Sequence, residues 1–157
     1  MRAPAVITAA AAELLGRLRE RHGSVMFHQS GGCCDGSSRM CYPCGDFLVG
    51  DRDVLLGVLD VGEEGVPVWI SGPQYQAWKH TQLVIDVVPG RGSGFSLEAP
   101  EGLRFLSRGR VFSDAEKADL EAAPVITGAA YQAGERPSIR GPVIDKAVPE
   151  TCPPRGR

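Results

Sequence analysis

Hydrophobic positions near the N-terminus repeat with the period of an α-helix. The apolar side chains follow i, i+4, i+7, i+8 and i+11 spacing and form one stripe: Ile7, Ala11, Leu14, Leu15 and Leu18. Thr8 is a typical helix N-cap, and Gly23 is a typical residue at which a helix stops. The pattern therefore predicts a helix over residues 8–21.

The middle of the chain has the short apolar runs, bounded by Gly, Pro and Asp, that are typical of β-strands. These runs are SVMFHQS (24–30), FLVG (47–50), DVLLGVLD (53–60), VPVWIS (66–71), LVIDVV (83–88), GFSLEA (94–99) and GLRFLSRGRVF (102–112). The Gly-rich stretch 89–94 predicts a hairpin turn between the fifth and sixth runs. A short helix is predicted over 73–81, and a second over 113–123, where Ser113 and Glu116 have capping-box spacing.

The composition changes after Ala123. Six of the twelve prolines lie in residues 124–157, and that stretch has no periodic apolar pattern. The sequence thus predicts one compact, β-rich α+β domain over residues 1–123 with an N-terminal helix. Residues 124–157 are predicted to be a Pro-rich tail, extended or loosely docked.

Charge and length narrow the classes of function. The chain has 157 residues, which suits one domain, and a net charge of −2 without long runs of one sign. A nucleic-acid partner is therefore not indicated. The N-terminal apolar stretch is interrupted by Glu13 and Arg17 and is too short to span a membrane. We expect a cytoplasmic protein without a membrane partner, and the sequence leaves open whether it forms a homo-oligomer.

The stretch HQSGGCCDGSSRMCYPCG, residues 28–45, concentrates the candidate chemistry. It holds four of the five cysteines, and the fifth, Cys152, lies in the predicted tail. Cytoplasmic thiols are kept reduced, and thiolates and imidazoles are ligands that suit zinc, iron or Fe–S clusters. Tyr42-Pro43 is expected to form a rigid turn that presents two of the sulfurs to one ion. The predicted metal ligands are drawn from Cys33, Cys34, Cys41, Cys44, His28 and His80.

Other interpretations of the same residues stay open. The cysteines fit a structural zinc knuckle, and Cys41-x-x-Cys44 has the spacing of a thiol–disulfide redox enzyme. A non-catalytic adaptor with a stapled cysteine loop is a further alternative. Period-two alternation in the predicted strand puts His28 on the face opposite Phe27, towards the cysteine loop or solvent, where it is either a ligand or a simple hydrogen-bonded histidine.

Two longer motifs carry a family resemblance. GSVMFHQSGGCCDGSSRMCYPCGDF, followed by QYQAWKHTQLVIDVVPGRGSGFSLE, resembles the bacterial family called domain of unknown function 779 over roughly residues 8–112. Members of that family are often encoded beside aldehyde dehydrogenases. The resemblance therefore implies an accessory role with an aldehyde dehydrogenase as partner.

A second, more distant resemblance concerns the fold. The order VITAAAAELLGRLRERHG, SGGC, TQL and GFSLEAP is similar to that of the HesB/IscA family of A-type iron–sulfur carriers. The resemblance implies a compact β-rich fold with an N-terminal helix, and it places Cys33 at the first cluster cysteine. The carriers also have a C-terminal Cys-Gly-Cys pair, which this chain lacks.

Together these observations predict a small cytoplasmic metal-binding accessory protein linked to aldehyde or alcohol oxidation. Its cofactor is expected to be an iron or zinc ion or an Fe–S cluster held in the 33–44 loop. The sequence does not decide whether the protein is itself an enzyme.

Overall fold

Two β-sheets and an N-terminal helix build the part of the chain that this computed structural model describes. That part comprises residues 3–29, 40–44, 49–63, 65–73, 75, 81–90, 102–121, 125–137 and 140–145. The strands are β1 (Ala5–Thr8), β2 (Val25–Gln29), β3 (Met40–Pro43), β4 (Val54–Leu59), β5 (Val66–Ile70), β6 (Thr81–Pro89), β7 (Leu103–Val111), β8 (Ile126–Thr127) and β9 (Val143–Ile144). The helices are α1 (Ala9–His22), α2 (Asp114–Glu121) and α3 (Gly128–Gln132).

The two sheets have mixed strand directions. The first sheet has the order β7-β6-β1-β9, and β1 is parallel to both of its neighbours. The second sheet has the order β3-β2-β5-β4-β8, in which only β2 and β5 are parallel. The predicted class, a β-rich α+β fold in one compact domain with an N-terminal helix, is confirmed.

The main core lies where α1 and the inward faces of both sheets meet. α1 contributes Leu14, Leu15 and Leu18, each at most 1% exposed. Phe27 of the second sheet meets Phe105 of the first edge to face, with ring centroids 4.8 Å apart. This T-shaped contact joins the two sheets through their largest fully buried side chains.

The predicted first helix is confirmed, together with its cap and its stop. The Thr8 hydroxyl accepts a hydrogen bond from the Ala11 N–H at 3.3 Å, as an N-cap does. Gly23 ends the helix with a φ of 78°, a conformation that glycine adopts without a steric penalty. Ile7 belongs to β1, however, and not to the helical stripe, because the strand runs into the helix at Thr8 without an intervening loop.

Residues 126–144 differ from the loosely docked tail that the composition predicts. β8 pairs with β4 at the edge of the second sheet, and β9 pairs with β1 at the edge of the first. Between them, the Gly141 N–H donates to the Val58 carbonyl oxygen at 2.7 Å. Two-residue strands have no periodicity of their own, so their conformation comes from the strands they pair with.

Several other predicted elements are only partly covered. The described antiparallel partner of β6 is β7, and the Gly90 N–H donates to the Gly102 carbonyl oxygen at 3.0 Å where the two strands meet the connection. The predicted turn and strand over 91–99 lie outside the described residues, as does most of the predicted helix over 73–81. No helix in the described ranges is long and apolar enough to cross a membrane.

The capping box that opens α2 is confirmed and is linked to the first sheet. The Ser113 N–H donates to Glu116 at 2.9 Å, and the Glu116 N–H donates to the Ser113 hydroxyl at 3.2 Å. Arg110 of β7 binds both carboxylate oxygens of Glu116, at 3.0 and 3.4 Å. The hydrogen bonds from Arg110 and from the Ser113 N–H lower the pKa of Glu116 from its ordinary 4.5 to about 2.

This shift predicts an acid-dependent loss of stability. Because the pKa of Glu116 is lower in the folded state, its ionised form stabilises the fold above about pH 5, and this contribution is lost as the pH falls towards 2. We expect wild type to melt at a higher temperature than Glu116→Gln at pH 7, and the difference to shrink below about pH 5. Thermal unfolding followed by circular dichroism over this pH range measures both.

Glu13→Gln is the control for loss of one carboxylate. Glu13 forms an exposed ion pair with Arg17 at 3.2 Å on α1, and exposed pairs of this kind contribute only about 0–1 kcal/mol. If the melting temperature of wild type exceeds that of Glu116→Gln by the same amount from neutral pH to pH 2, Glu116 acts by packing and not by its charge.

Candidate functional site

Residues 30–39, called the cysteine segment below, connect the two strands of a β-hairpin. β2 and β3 are antiparallel, with Phe27 opposite Cys41 and His28 opposite Met40. The chain leaves β2 after Gln29 and returns at Met40. Cys33 and Cys34 fall in this connection, and they lie outside the described residues, as do His80 and Cys152.

Cys41 lies on the core face of β3. Its side chain is fully buried in the main core with Phe27, the residue opposite it in the hairpin. Side chains alternate along a strand, so His28 lies on the other face of the sheet. A single ion bound by both Cys41 and His28 would need ligands from opposite faces of one sheet.

Cys44 lies at the end of β3 that is remote from residues 30–39. It is exposed, and its N–H donates to the Ser24 carbonyl oxygen at 2.8 Å, which continues the hairpin ladder. The expected rigid turn at Tyr42-Pro43 is instead extended strand. Three positions along a strand separate two Cα atoms by about 10 Å, beyond the range of about 4.4–6.8 Å that a disulfide spans. Strand geometry therefore keeps Cys41 and Cys44 apart.

His28 is buried on the outer face of the second sheet, with only 5% of its surface exposed. It lies beside Trp69 of β5, and Met26 and Trp69 belong to the smaller apolar cluster on this face. The alternation of β2 was predicted correctly, but this face is covered and not open to solvent. The histidine therefore sits in an apolar setting next to the start of the cysteine segment.

The partner of His28 is a carboxylate that the sequence analysis did not single out. The Nε2 atom of His28 lies 2.9 Å from Oδ2 of Asp53, whose side chain is 18% exposed. An ionised carboxylate only accepts hydrogen bonds, so Nε2 is the donor. The same oxygen also accepts from the Gly50 N–H at 2.9 Å. Two donors thus hold the carboxylate against the imidazole.

The turn before β4 places Asp53. The Asp53 N–H donates to the Gly50 carbonyl oxygen at 3.1 Å, which closes the turn. β5 lies between β2 and β4, so the carboxylate reaches His28 across the end of the intervening strand. The GDRDV stretch signals a turn in the sequence, but nothing local signals a contact 25 positions away.

The structure brings together one pair of polar side chains, His28 and Asp53, and does not assemble the predicted set of metal ligands among the described residues. Within the described ranges, no group of three or more His, Cys, Asp or Glu side chains is placed to hold a metal ion. The structure brings His28 to the entrance of the cysteine segment, separates Cys41 onto the core face, and leaves Cys44 at the far end of the hairpin. The full ligand set therefore stays a prediction.

Comparison with known families identifies the chain. The family model described as Domain of unknown function (DUF779) matches residues 14–111, more than half of the chain. The protein belongs to the DUF779 family. Searches of curated proteins and of solved structures found no match, so the likeness of this DUF779 protein to the HesB/IscA carriers stays a prediction.

The matched range separates the parts of this DUF779 chain. It contains the whole hairpin, the cysteine segment and both members of the His28–Asp53 pair. β1, β8, α3 and β9 lie outside it, although β1 pairs with β6 and β8 pairs with β4, both inside it, and β9 pairs in turn with β1. Cys152 also lies outside the match, which sets it apart from the other four cysteines.

Proposed function

We propose that this DUF779 protein is a small cytoplasmic metal-binding accessory protein that works with an aldehyde-oxidising enzyme. The metal is an iron or zinc ion, or the iron of an Fe–S cluster. Its ligands come from the segment between β2 and β3, where Cys33 and Cys34 supply thiolates, and from His28. His80 is a further ligand candidate from the chain before β6.

The His28–Asp53 pair is the observation that supports this proposal best. Histidines that bind a metal commonly donate their other ring N–H to a carboxylate, which fixes the tautomer and makes the ligating nitrogen more basic. Here the donated hydrogen bond is 2.9 Å long, and the histidine is buried at the entrance of a segment with two adjacent cysteines. The bound metal would supply Lewis acidity or electron transfer.

The link to aldehyde oxidation is supported by the family resemblance. DUF779 members are often encoded beside aldehyde dehydrogenases, and proteins encoded together often act on one process. The role proposed for this chain is to hold or deliver the metal for that enzyme. Comparing the activity of an aldehyde dehydrogenase with and without added wild-type or His28→Ala protein tests this part alone.

Bound metal is the measurement that tests the site. We expect protein purified without air to contain iron or zinc. Cys33→Ser and His28→Ala should each bind the metal at least about tenfold more weakly, and therefore retain less of it, because loss of a group that merely holds a ligand already costs about 10–100-fold in affinity. Elemental analysis gives the amount, and the visible absorption spectrum distinguishes an Fe–S cluster from zinc.

Cys44→Ser is the matched control, because it is the same substitution on an exposed cysteine at the far end of the hairpin. We expect it to keep the metal, and Cys152→Ser likewise. Wild-type protein without metal, or equal loss in the control, would contradict the proposed site. Cys41→Ser is not informative here, because it would place a hydroxyl in the main core and change folding.

A further inference from the structure

The turn that carries Asp53 is held from outside by the C-terminal segment. The Gly128 N–H donates to the Asp53 carbonyl oxygen at 2.8 Å, and the Ala129 N–H donates to the Asp51 carbonyl oxygen at 3.3 Å. Both donors belong to the first residues of α3. The main chain of α3 therefore binds the turn at two carbonyl groups, that of Asp51 and that of Asp53 itself.

The contact between α3 and the turn is too close for any side chain at residue 128. A Cβ atom built on Gly128 would overlap the carbonyl oxygen of Gly50, and it would lie 3.4 Å from the Asp51 Cα. Gly50 is also the residue whose N–H binds the Asp53 carboxylate. A glycine at 128 thus allows α3 to approach the turn closely enough to keep Gly50 where its N–H binds the Asp53 carboxylate.

α3 is itself anchored next to His28. The Thr127 hydroxyl accepts from the Ala130 N–H at 3.3 Å and caps the helix. Tyr131 packs edge to face on Trp69, with ring centroids 5.2 Å apart, and Trp69 is the β5 neighbour of His28. The same short helix therefore touches both the strand beside the histidine and the turn that holds its carboxylate.

We infer that Gly128 and Asp53 are positioning residues for His28: α3 clamps the 50–53 turn, and the turn holds the imidazole in the Nε2–H tautomer. This inference rests on the proposed function for its metal readout, but its structural readout is independent of any metal. It assigns a role at the site to a segment that lies outside the DUF779 match.

The ¹⁵N spectrum of the His28 imidazole tests the clamp directly in the full chain. We expect a single Nε2–H pattern in wild type, assigned by its loss in His28→Ala. In Gly128→Ala the displaced turn should shift this pattern towards that of Asp53→Ala, where the carboxylate is absent. Gly16→Ala is the matched control, because a Cβ there meets no atom within 4 Å, and its spectrum should equal that of wild type.

Each outcome decides between the alternatives. A folded Gly128→Ala protein with the wild-type His28 pattern would overturn the inference. If Gly128→Ala does not fold, Thr127→Ala replaces it, since it removes only the cap of α3; a smaller shift in the same direction supports the clamp, and no shift overturns it. Thermal unfolding of every variant shows which are folded.

Zn²⁺ binding separates this inference from the proposed function. We expect Zn²⁺ alone to bind Gly128→Ala about 10–100-fold more weakly than wild type, the usual effect of losing the carboxylate that holds a ligating histidine, and to bind Gly16→Ala as tightly as wild type. If wild type binds no Zn²⁺ and no iron while the His28 pattern still responds to Gly128→Ala, the clamp stands and the metal function fails. Equal Zn²⁺ affinity in a folded Gly128→Ala protein whose His28 pattern has shifted would contradict His28 as a ligand, whereas equal affinity with an unshifted pattern contradicts the clamp.

Discussion

Ending the chain after Ala123 is expected to abolish cooperative unfolding. The truncation removes β8 from the edge of β4 and β9 from the edge of β1, so each sheet loses a strand. It also removes Ile126 from the apolar cluster on the outer face of the second sheet, together with Tyr131, which packs against that cluster. Burying an apolar side chain of this size stabilises by about 1.5–3 kcal/mol, and total stability is only about 5–15 kcal/mol.

Thermal and urea unfolding of the truncated chain measure this effect. A chain that ends after Asp145 is the comparison, since it keeps both C-terminal strands and removes only residues 146–157. We expect the shorter chain to show no sharp transition while the longer one keeps it. A cooperative transition at the wild-type temperature in the chain ending at Ala123 would mean that residues 125–144 add nothing to the fold.

Gly141→Ala is expected to be among the most destabilising single substitutions in the chain. Gly141 lies between the two sheets, where its N–H binds Val58 and its carbonyl oxygen accepts from the Asp60 N–H at 2.8 Å. A Cβ there would overlap the carbonyl oxygen of Ala5, which is main chain of β1 and has no rotamer to adjust. Overpacking costs about 1–3 kcal/mol in ordinary cores and more where backbone must move, so we expect a loss of about 3 kcal/mol or more.

Gly16→Ala is the matched control for this substitution as well. The same methyl group is added, but on α1 and in open space, where alanine favours the helix by about 0.5–1 kcal/mol. Urea unfolding of both variants compares the free energies of unfolding. If Gly141→Ala is as stable as wild type, the C-terminal segment does not tie β1 to β4 as closely as its hydrogen bonds indicate.

Local patterns were enough to predict the elements whose stability is local. The apolar stripe, Thr8 and Gly23 define α1, and the spacing of Ser113 and Glu116 defines the start of α2, because caps act through neighbouring backbone groups. The apolar runs that became β4, β5, β6 and β7 each contain enough residues to show a pattern. The conspicuous cysteine segment also marked the region of interest without any structure.

Long-range pairing alone decided the rest. β1, β8 and β9 have two to four residues, too few for a periodic signal, and they are strands because neighbours already in the sheets offer unpaired backbone groups. The hairpin register placed Cys41 and His28 on opposite faces, whereas their spacing in sequence suggested one site.

Asp53 shows the same limit most clearly. It meets His28 only because β2, β5 and β4 lie side by side in the second sheet. The sequence by itself thus determined the helices and strands whose pattern is local, and which thiols and imidazoles are candidates. Tertiary structure decided which of them meet, because a contact between distant residues depends on strand order and register, and neither is encoded in the local pattern of hydrophobic and polar positions.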